Sequence, residues 1–404
     1  MPLCRSINSL HDNNVSEGPP MACAGRRTRM AGILLAVACA GGAAAHAGDP
    51  VRLHEIQLIG THNSYHVAPD QAVFERMRET GYAESAEWPA ERLAPALAFT
   101  HAPIPEQLSR GVRVLELDVH DDPDGGRFSS PGFLKALPPE VLASLPPVDP
   151  ERELDRPGFK VFHAADTDVR STCLRFARCL EEIRAWSDAH PGHIPIIVQI
   201  ETKAGRKPPL ADAYEPAEAS AFDDASWTRL HDEILAVFPR ERLFLPAELQ
   251  GAFVSVNAAV RREGWPPVAE LRGRVIFMLL DDPEPQAAYA RFTSGAVEPI
   301  LFRSISADDP GTGWLIRPQP DGSGFRPLLA AGFLVYTRAD ANSVEPRLGD
   351  RSRASLAMDS GAQLISTDYP WPAPGAESYE VSFRGGFVRC NPVTRPKGCA
   401  ASPG

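Results

Sequence analysis

Residues 56–66 read IQLIGTHNSYH: a short apolar run, one glycine, then an abrupt change to polar side chains headed by Thr61, His62, Asn63 and Ser64. A β-branched run of this length, apolar at consecutive positions, is the pattern of a strand buried on both faces, as in a parallel sheet. Seven further runs have the same form: Val112–Val119, Phe159–Phe162, Ile194–Ile200, Val275–Leu280, Ile300–Phe302, Phe333–Tyr336 and Gln363–Ser366, after Ile56–Gly60 as the first. Helical spacing of apolar residues lies between several of them, over Leu174–His190, Ala225–Phe238 and Leu348–Gly361, the last stopping at glycine. Eight strands alternating with helices predict an α/β fold, a distorted (β/α)8 TIM barrel in a single domain. An open doubly wound sheet is the alternative. No GxGxxG pattern follows the first strand, which weakens its dinucleotide-binding version.

The rest of the composition agrees with one large decorated barrel. The chain has 404 residues, 43% of them hydrophobic, and 40 prolines, which suit stiff loops better than a long helical bundle. A net charge of −11 argues against nucleic acid as a partner, since phosphate-backbone binding needs clustered Lys and Arg. It also argues against long-range attraction to an anionic membrane, so acidic groups gathered at one place are better explained by a cation.

Residues 1–47 read as a targeting segment. Arg26, Arg27 and Arg29 precede a short apolar stretch from Met30 to Ala40, and Ala45-His46-Ala47 fits a small-x-small cleavage pattern. Export to the periplasm or the medium follows as an expectation, with no transmembrane segment in the mature chain. Arg26-Arg27 also allows a weak twin-arginine signal. Acylation at Cys39 is disfavoured by Ala36. The expected mature layout is a barrel over 48–370 and a C-terminal extension over 371–404. Of seven cysteines, Cys4, Cys23 and Cys39 precede the cleavage site, leaving Cys173, Cys179, Cys390 and Cys399. An even number in an exported chain suggests disulfides. Three pairings are open, and the two local ones, Cys173 with Cys179 and Cys390 with Cys399, need the least rearrangement. CxxC spacing is absent, which argues against zinc.

In a (β/α)8 barrel the chemistry gathers where strands end. The first expected strand ends on His62-Asn63, the second carries Glu116 and Asp118, the third runs into His163 and the fourth ends at Glu201 and Lys203. Residues two apart on a strand share a face, so Glu116 and Asp118 point into the barrel mouth together. Two carboxylates there repel, and burying them unpaired is costly. A divalent cation resolves the conflict. Asn63 and Glu201 complete an all-oxygen set that suits Ca2+ or Mg2+ better than zinc. His62 and His163 are then free for proton transfer. Each residue alone has a plain structural reading, as a hydrogen-bond donor or a surface ion pair. Their arrival at the ends of four successive strands is what argues for a site.

At these residues the sequence resembles the calcium-dependent, phosphatidylinositol-specific phospholipases C of bacteria and fungi. The matching stretches include IQLIGTHNSYH, PIPEQLSRGVRVLELDVH, FKVFHAADTDVRSTCLRFARCLEEIRAWSDAHPGHIPIIVQIETK, VYTRADANSVE, GAQLISTDYP and RCNPVTRPKGC, in order along most of the chain. The resemblance implies a distorted TIM barrel with two catalytic histidines at His62 and His163. It also implies one Ca2+ held by Asn63, Glu116, Asp118 and Glu201. Lys203 and Arg338 look like candidates for contacting phosphate, and Asp368, at the end of the eighth strand, for supporting the site, with a structural salt bridge the alternative for each of the three. The implied reaction releases diacylglycerol as an inositol hydroxyl attacks phosphorus, on a phospholipid at a membrane surface, by a monomeric enzyme. By analogy with the superfamily, His62 would stabilise the transition state and His163 protonate the leaving group, and the exchanged assignment stays open. The rival is a related barrel phosphodiesterase acting on glycerophosphodiesters or sphingomyelin; the glycerophosphodiesterases typically show His-Arg-Gly where this chain has His62-Asn63-Ser64.

Overall fold

A computed structural model describes residues 50–399 apart from Ala213, Pro396 and Gly398, and twelve strands run through them. The targeting segment, with Cys4, Cys23 and Cys39, lies outside the described residues. Eight strands form the parallel frame: β1 (Ile56–Thr61), β4 (Val114–His120), β6 (Ile196–Thr202), β7 (Val275–Leu279), β8 (Leu301–Phe302), β9 (Trp314–Ile316), β10 (Leu334–Arg338) and β11 (Leu364–Thr367). A small hairpin, β2 (Ala83–Ser85) and β3 (Trp88–Pro89), stands apart, and two antiparallel edge strands, β5 (Lys160–Val161) and β12 (Val388–Cys390), complete the set.

The strands form two five-stranded sheets, in the orders β12-β1-β11-β10-β9 and β5-β4-β6-β7-β8. Among the described residues no ladder joins β1 to β4 or β8 to β9, so the barrel has two seams. At the first, the Ser64 N–H donates to the Glu116 carbonyl at 2.9 Å. Gly60 makes this approach possible: a Cβ there would sit 2.4 Å from Val114 Cβ. At the second, side chains stand in for the ladder, as Trp314 Nε1 donates to the Phe302 carbonyl at 3.0 Å and the Ile316 N–H to Ser304 Oγ at 3.2 Å.

The fold prediction holds, with one substitution among its staves. Phe159–Phe162 is not a parallel strand. Its central pair, β5, runs antiparallel to β4, with Val161 opposite Val119 and Lys160 opposite His120. β4 pairs directly with β6 over six positions, which leaves no space between them for another stave. The missing stave is Trp314–Ile316, three residues long and thus too short for a periodicity to show. The helices at Phe176–Ala189 and Ser352–Asp359 fall within the expected ranges, and Asp224–Val237 starts one residue before its own.

Alternate strand residues face two apolar layers. Leu58, Val114, Ile197, Ile276, Met278, Leu334, Tyr336 and Leu364 share one buried cluster, the barrel interior. Their neighbours Leu115, Ile196, Val198, Phe277 and Leu279 pack in another cluster with helix residues such as Ile183 and Leu230. Both local disulfides are formed, Cys173–Cys179 and Cys390–Cys399, with Cα separations of 5.4 and 5.9 Å. Trp371 packs under the Arg110 guanidinium, 4.6 Å from its ring centre. No described helix is long and apolar enough to cross a membrane.

Candidate active site and metal centre

The inward parity that puts Leu58, Val114, Ile197, Leu334 and Leu364 in the interior continues to the strand ends. It carries His62, Glu116, Asp118, Glu201, Lys203, Arg338 and Asp368 to one rim. A cavity of about 300 Å3 opens there, lined on its polar side by His62, Asn63, His163, Glu201, Lys203, Arg338 and Asp368. A second cavity, about 460 Å3, shares His163, Glu201 and Lys203 with it.

Glu116, Asp118 and Glu201 can bring one oxygen each within 4.8 Å of one another. Asp118 and Glu201 are direct partners in the β4–β6 register. Glu116 and Asp118 are buried. Burial first, then the neighbouring Glu201 and Asp118 carboxylates, push the Glu116 carboxyl well above the usual range. Asp118 is also pushed up by burial, although the Lys203 ammonium opposes it. Glu201 goes the other way: burial favours its proton, but Lys203 overrides burial and holds the carboxyl down. Lys203 Nζ lies 2.9 Å from Asp118 Oδ2 and also donates to Glu201 Oε1. Three ionised carboxylates against one ammonium leave two negative charges, at a penalty of several kcal/mol per buried ion. A divalent cation would neutralise them.

Asn63 fits the same purpose. It takes the left-handed conformation (φ 46°), which Asn tolerates better than most residues, in the turn that follows β1. Among the described residues, its Oδ1 and Glu116 Oε2 are buried without hydrogen-bond partners. Oxygens left without donors beside a carboxylate cluster suit a hard cation.

The two histidines are each held through Nδ1. His62 Nδ1 donates to Asp368 Oδ1 at 2.7 Å, and Arg338 donates to the other oxygen of Asp368 at 3.1 Å. Burial, then the Arg338 guanidinium, lowers the His62 ring to about 4. The Asp368 carboxyl sits at about 2; burial works against this, and Arg338 and His62 overcome it. Asp340 braces this side, accepting from the Asp368 N–H at 2.9 Å. His163 Nδ1 donates to Asp168 Oδ2 at 3.0 Å. Its ring is raised: burial opposes protonation, but the bond to Asp168 outweighs burial.

All the expected polar residues thus line or border one cavity system. His163 arrives by a route not foreseen, from the antiparallel β5 and not from a parallel stave. Lys203 and Arg338 reach the rim already engaged in ion pairs with the carboxylates of the site. Sequence reasoning did not find Asp168, five residues after His163, nor the apolar wall of Trp88, Leu93, Ala96, Leu97 and Phe99. That wall comes from the excursion between β1 and β4, whose short hairpin and helix carry no distinguishing motif.

The sequence matches the family described as phosphoinositide phospholipase C, Ca2+-dependent, over residues 51–392. Among solved structures it is similar to the calcium-dependent phosphoinositol-specific phospholipase C of the Gram-negative bacterium Pseudomonas sp. in an apo crystal form, with 17% identity, 84% of this chain and 95% of that chain covered, and a TM-score of 0.50. The myoinositol complex of that protein gives 16% identity, coverage of 84% and 96%, and a TM-score of 0.50. The Ca2+-dependent phosphatidylinositol-specific enzyme of Streptomyces antibioticus gives 18% identity, coverage of 81% and 98%, and a TM-score of 0.46. At these identities the likeness to the Pseudomonas structures is one of fold. No curated protein matches.

Proposed function

The chain belongs to the Ca2+-dependent phosphoinositide phospholipase C family, whose members are phosphoric diester hydrolases, and from that premise we propose that it is an exported enzyme that cleaves phosphatidylinositol to diacylglycerol and inositol phosphate. The observation that carries this reading is the meeting of three carboxylates, two partnerless oxygens and two His–Asp pairs at one rim.

Asn63, Glu116, Asp118 and Glu201 hold one Ca2+ in this reading. The bound ion lowers the pKa of the attacking hydroxyl and offsets charge on the phosphoryl oxygens. The chain's own groups do the proton work. His62, held neutral by burial and Arg338, accepts the proton of the inositol hydroxyl at Nε2. The hydroxyl oxygen bonds to phosphorus as the bond from phosphorus to the glycerol oxygen breaks. His163, whose ring is raised by Asp168, donates its Nε2 proton to that leaving oxygen. The immediate product is a cyclic inositol phosphate, which water can open by the same two groups in reversed roles. Lys203 and Arg338 border the cavity as cations for the phosphate. The enzyme acts as a monomer on lipid at a membrane surface, from the periplasm or the medium. Its barrel spans 48–370, with 371–404 as a C-terminal extension.

The test is hydrolysis of a panel of phosphatidylinositol, its phosphates, sphingomyelin and glycerophosphoinositol, with and without Ca2+, products resolved by phosphorus NMR. Calcium-dependent turnover of phosphatidylinositol is expected. Full activity in excess EGTA, or turnover of sphingomyelin alone, overturns the reading.

A further inference from the structure

The bond from His163 to Asp168 closes within one tight turn, in which Ala164 and Asp168 exchange both backbone hydrogen bonds, at 2.9 and 3.0 Å. A turn of this size does not by itself fix the plane of the Asp168 carboxylate. The second side chain on that carboxylate is His66. Its Nε2 lies 3.0 Å from each oxygen of Asp168, and its Nδ1 lies 3.0 Å from the Phe99 carbonyl. A carbonyl can only accept, so His66 donates at Nδ1, and it faces a carboxylate at Nε2. The ring is fully buried, stacks on Phe99 at a centroid distance of 4.3 Å and meets His163 edge-on at 6.5 Å. Its backbone is pinned on both sides: the His66 N–H donates to the Asn63 carbonyl at 2.8 Å, and the His101 N–H donates to the His66 carbonyl at 2.9 Å. Flanking residues tie the same two segments together. Thr172 donates its N–H to the Tyr65 carbonyl at 2.8 Å, and Val67 donates to the Arg170 carbonyl at 3.3 Å.

We infer that His66 is a positioning residue for the reaction: by chelating both oxygens of Asp168 it sets the carboxylate plane, and so the tautomer and aim of His163, from a platform on the turn that carries His62 and Asn63. His66 lines neither of the two rim cavities described above. A local pair, His163–Asp168, is thereby registered to the distant first strand, so that the two histidines keep a constant separation. The burial of His66 is not needed for packing alone, because a phenyl ring would fill the same volume against Phe99. What the imidazole adds is two ring nitrogens at fixed angles, one on the Phe99 carbonyl and one on the Asp168 carboxylate. The inference rests on the proposed reaction.

The experiment uses the mature protein with His66→Phe, His66→Gln and His66→Asn, alone and combined with Asp168→Asn. Gln reaches the position of Nε2, whereas Asn reaches only that of Nδ1. In saturating Ca2+, His66→Phe should lower kcat on phosphatidylinositol about 10- to 100-fold, as loss of an orienting partner does elsewhere. KM and the Ca2+ dissociation constant should stay within about two-fold of wild type. His66→Gln should recover most of the rate, His66→Asn should not, and in the Asp168→Asn background His66→Phe should cost less than about two-fold more. Nitrogen-15 NMR of the His163 ring, recorded at a pH high enough that the ring has lost its second proton, supplies a readout free of turnover: one neutral tautomer, protonated at Nδ1, in wild type and His66→Gln, and a mixture in His66→Phe. A folded His66→Phe with wild-type kcat and an unchanged His163 signal overturns the inference, as does independent multiplication of the two losses. If His66→Phe does not fold, equal rates in His66→Gln and His66→Asn overturn it instead. Should wild type fail to hydrolyse phosphatidylinositol, the proposed function falls while the NMR signature still decides the role of His66.

Discussion

The two His–Asp pairs look alike and are built in opposite ways. His62 and Asp368 are 306 residues apart and meet because β1 and β11 are neighbours in one parallel ladder. His163 and Asp168 are five apart and meet inside a turn that hangs from a two-residue antiparallel strand. The first pair inherits its geometry from the sheet. The second must be tied down, by the contacts of residues 65–67 with 170–172, by the Cys173–Cys179 disulfide just beyond, and by Glu233, which accepts the Phe159 N–H at 2.9 Å where β5 begins. The charges around the pairs differ as well. Burial, then Arg338, drives the first histidine down; the second carboxylate faces the His66 ring instead, and against burial its bond drives His163 up. In the proposed reaction, like pairs in unlike surroundings give one rim a base and an acid.

The largest effect tests what both pairs serve. Excess EGTA should abolish turnover, and Ca2+ should raise the melting temperature of wild type but not of Glu116→Gln combined with Asp118→Asn, measured by scanning calorimetry. Equal melting curves with and without Ca2+ would remove the metal from the carboxylate cluster. Next, His62→Ala and His163→Ala should each lower kcat by about 10²- to 10⁴-fold without loss of fold, read by steady-state kinetics and circular dichroism. A near-wild-type rate in either takes that histidine out of the reaction. A smaller effect separates the pairs. Cys173→Ser with Cys179→Ser should reduce kcat about several-fold by loosening the His163 turn, leaving Ca2+ affinity unchanged in calorimetric titration. A parallel loss of Ca2+ affinity would mean that the turn and the metal centre are one unit.

The smallest effect lies in the support of β5. Burial raises the Glu233 carboxyl from an ordinary 4.5 to about 7, against the Phe159 N–H that favours its charged form. The folded protein therefore holds this proton more tightly than the unfolded chain. The resulting stability is fully present below about pH 4.5 and is lost as the pH rises to 7. Glu233→Gln should match wild type near pH 4.5 and melt a few degrees higher at pH 8. A difference that does not change with pH would show that Glu233 ionises normally.

Much of this was legible in the chain. The Glu-x-Asp spacing at 116 and 118 requires a shared face in any strand. Apolar runs buried on both faces call for helices on both sides or around a barrel. What was not legible had no periodic signal. A three-residue stave such as Trp314–Ile316, or a two-residue strand such as β5, is too short for alternation to show. Its direction depends on which neighbour has a free edge. Asp168 and His66 are ordinary polar residues until the fold sets them 3.0 Å apart.

From sequence alone, then, came the alternation of strands and helices, the inward parity of the rim residues and an oxygen-rich set suited to a hard cation, since these follow from side-chain chemistry and from a strand period of two. Only the tertiary structure decided that β4 pairs with β6, that His163 arrives on an antiparallel flap, and that Asp368 and Asp168 take opposite histidines. Those choices depend on which backbone edges meet and which charges are buried together, and both are properties of the packed molecule.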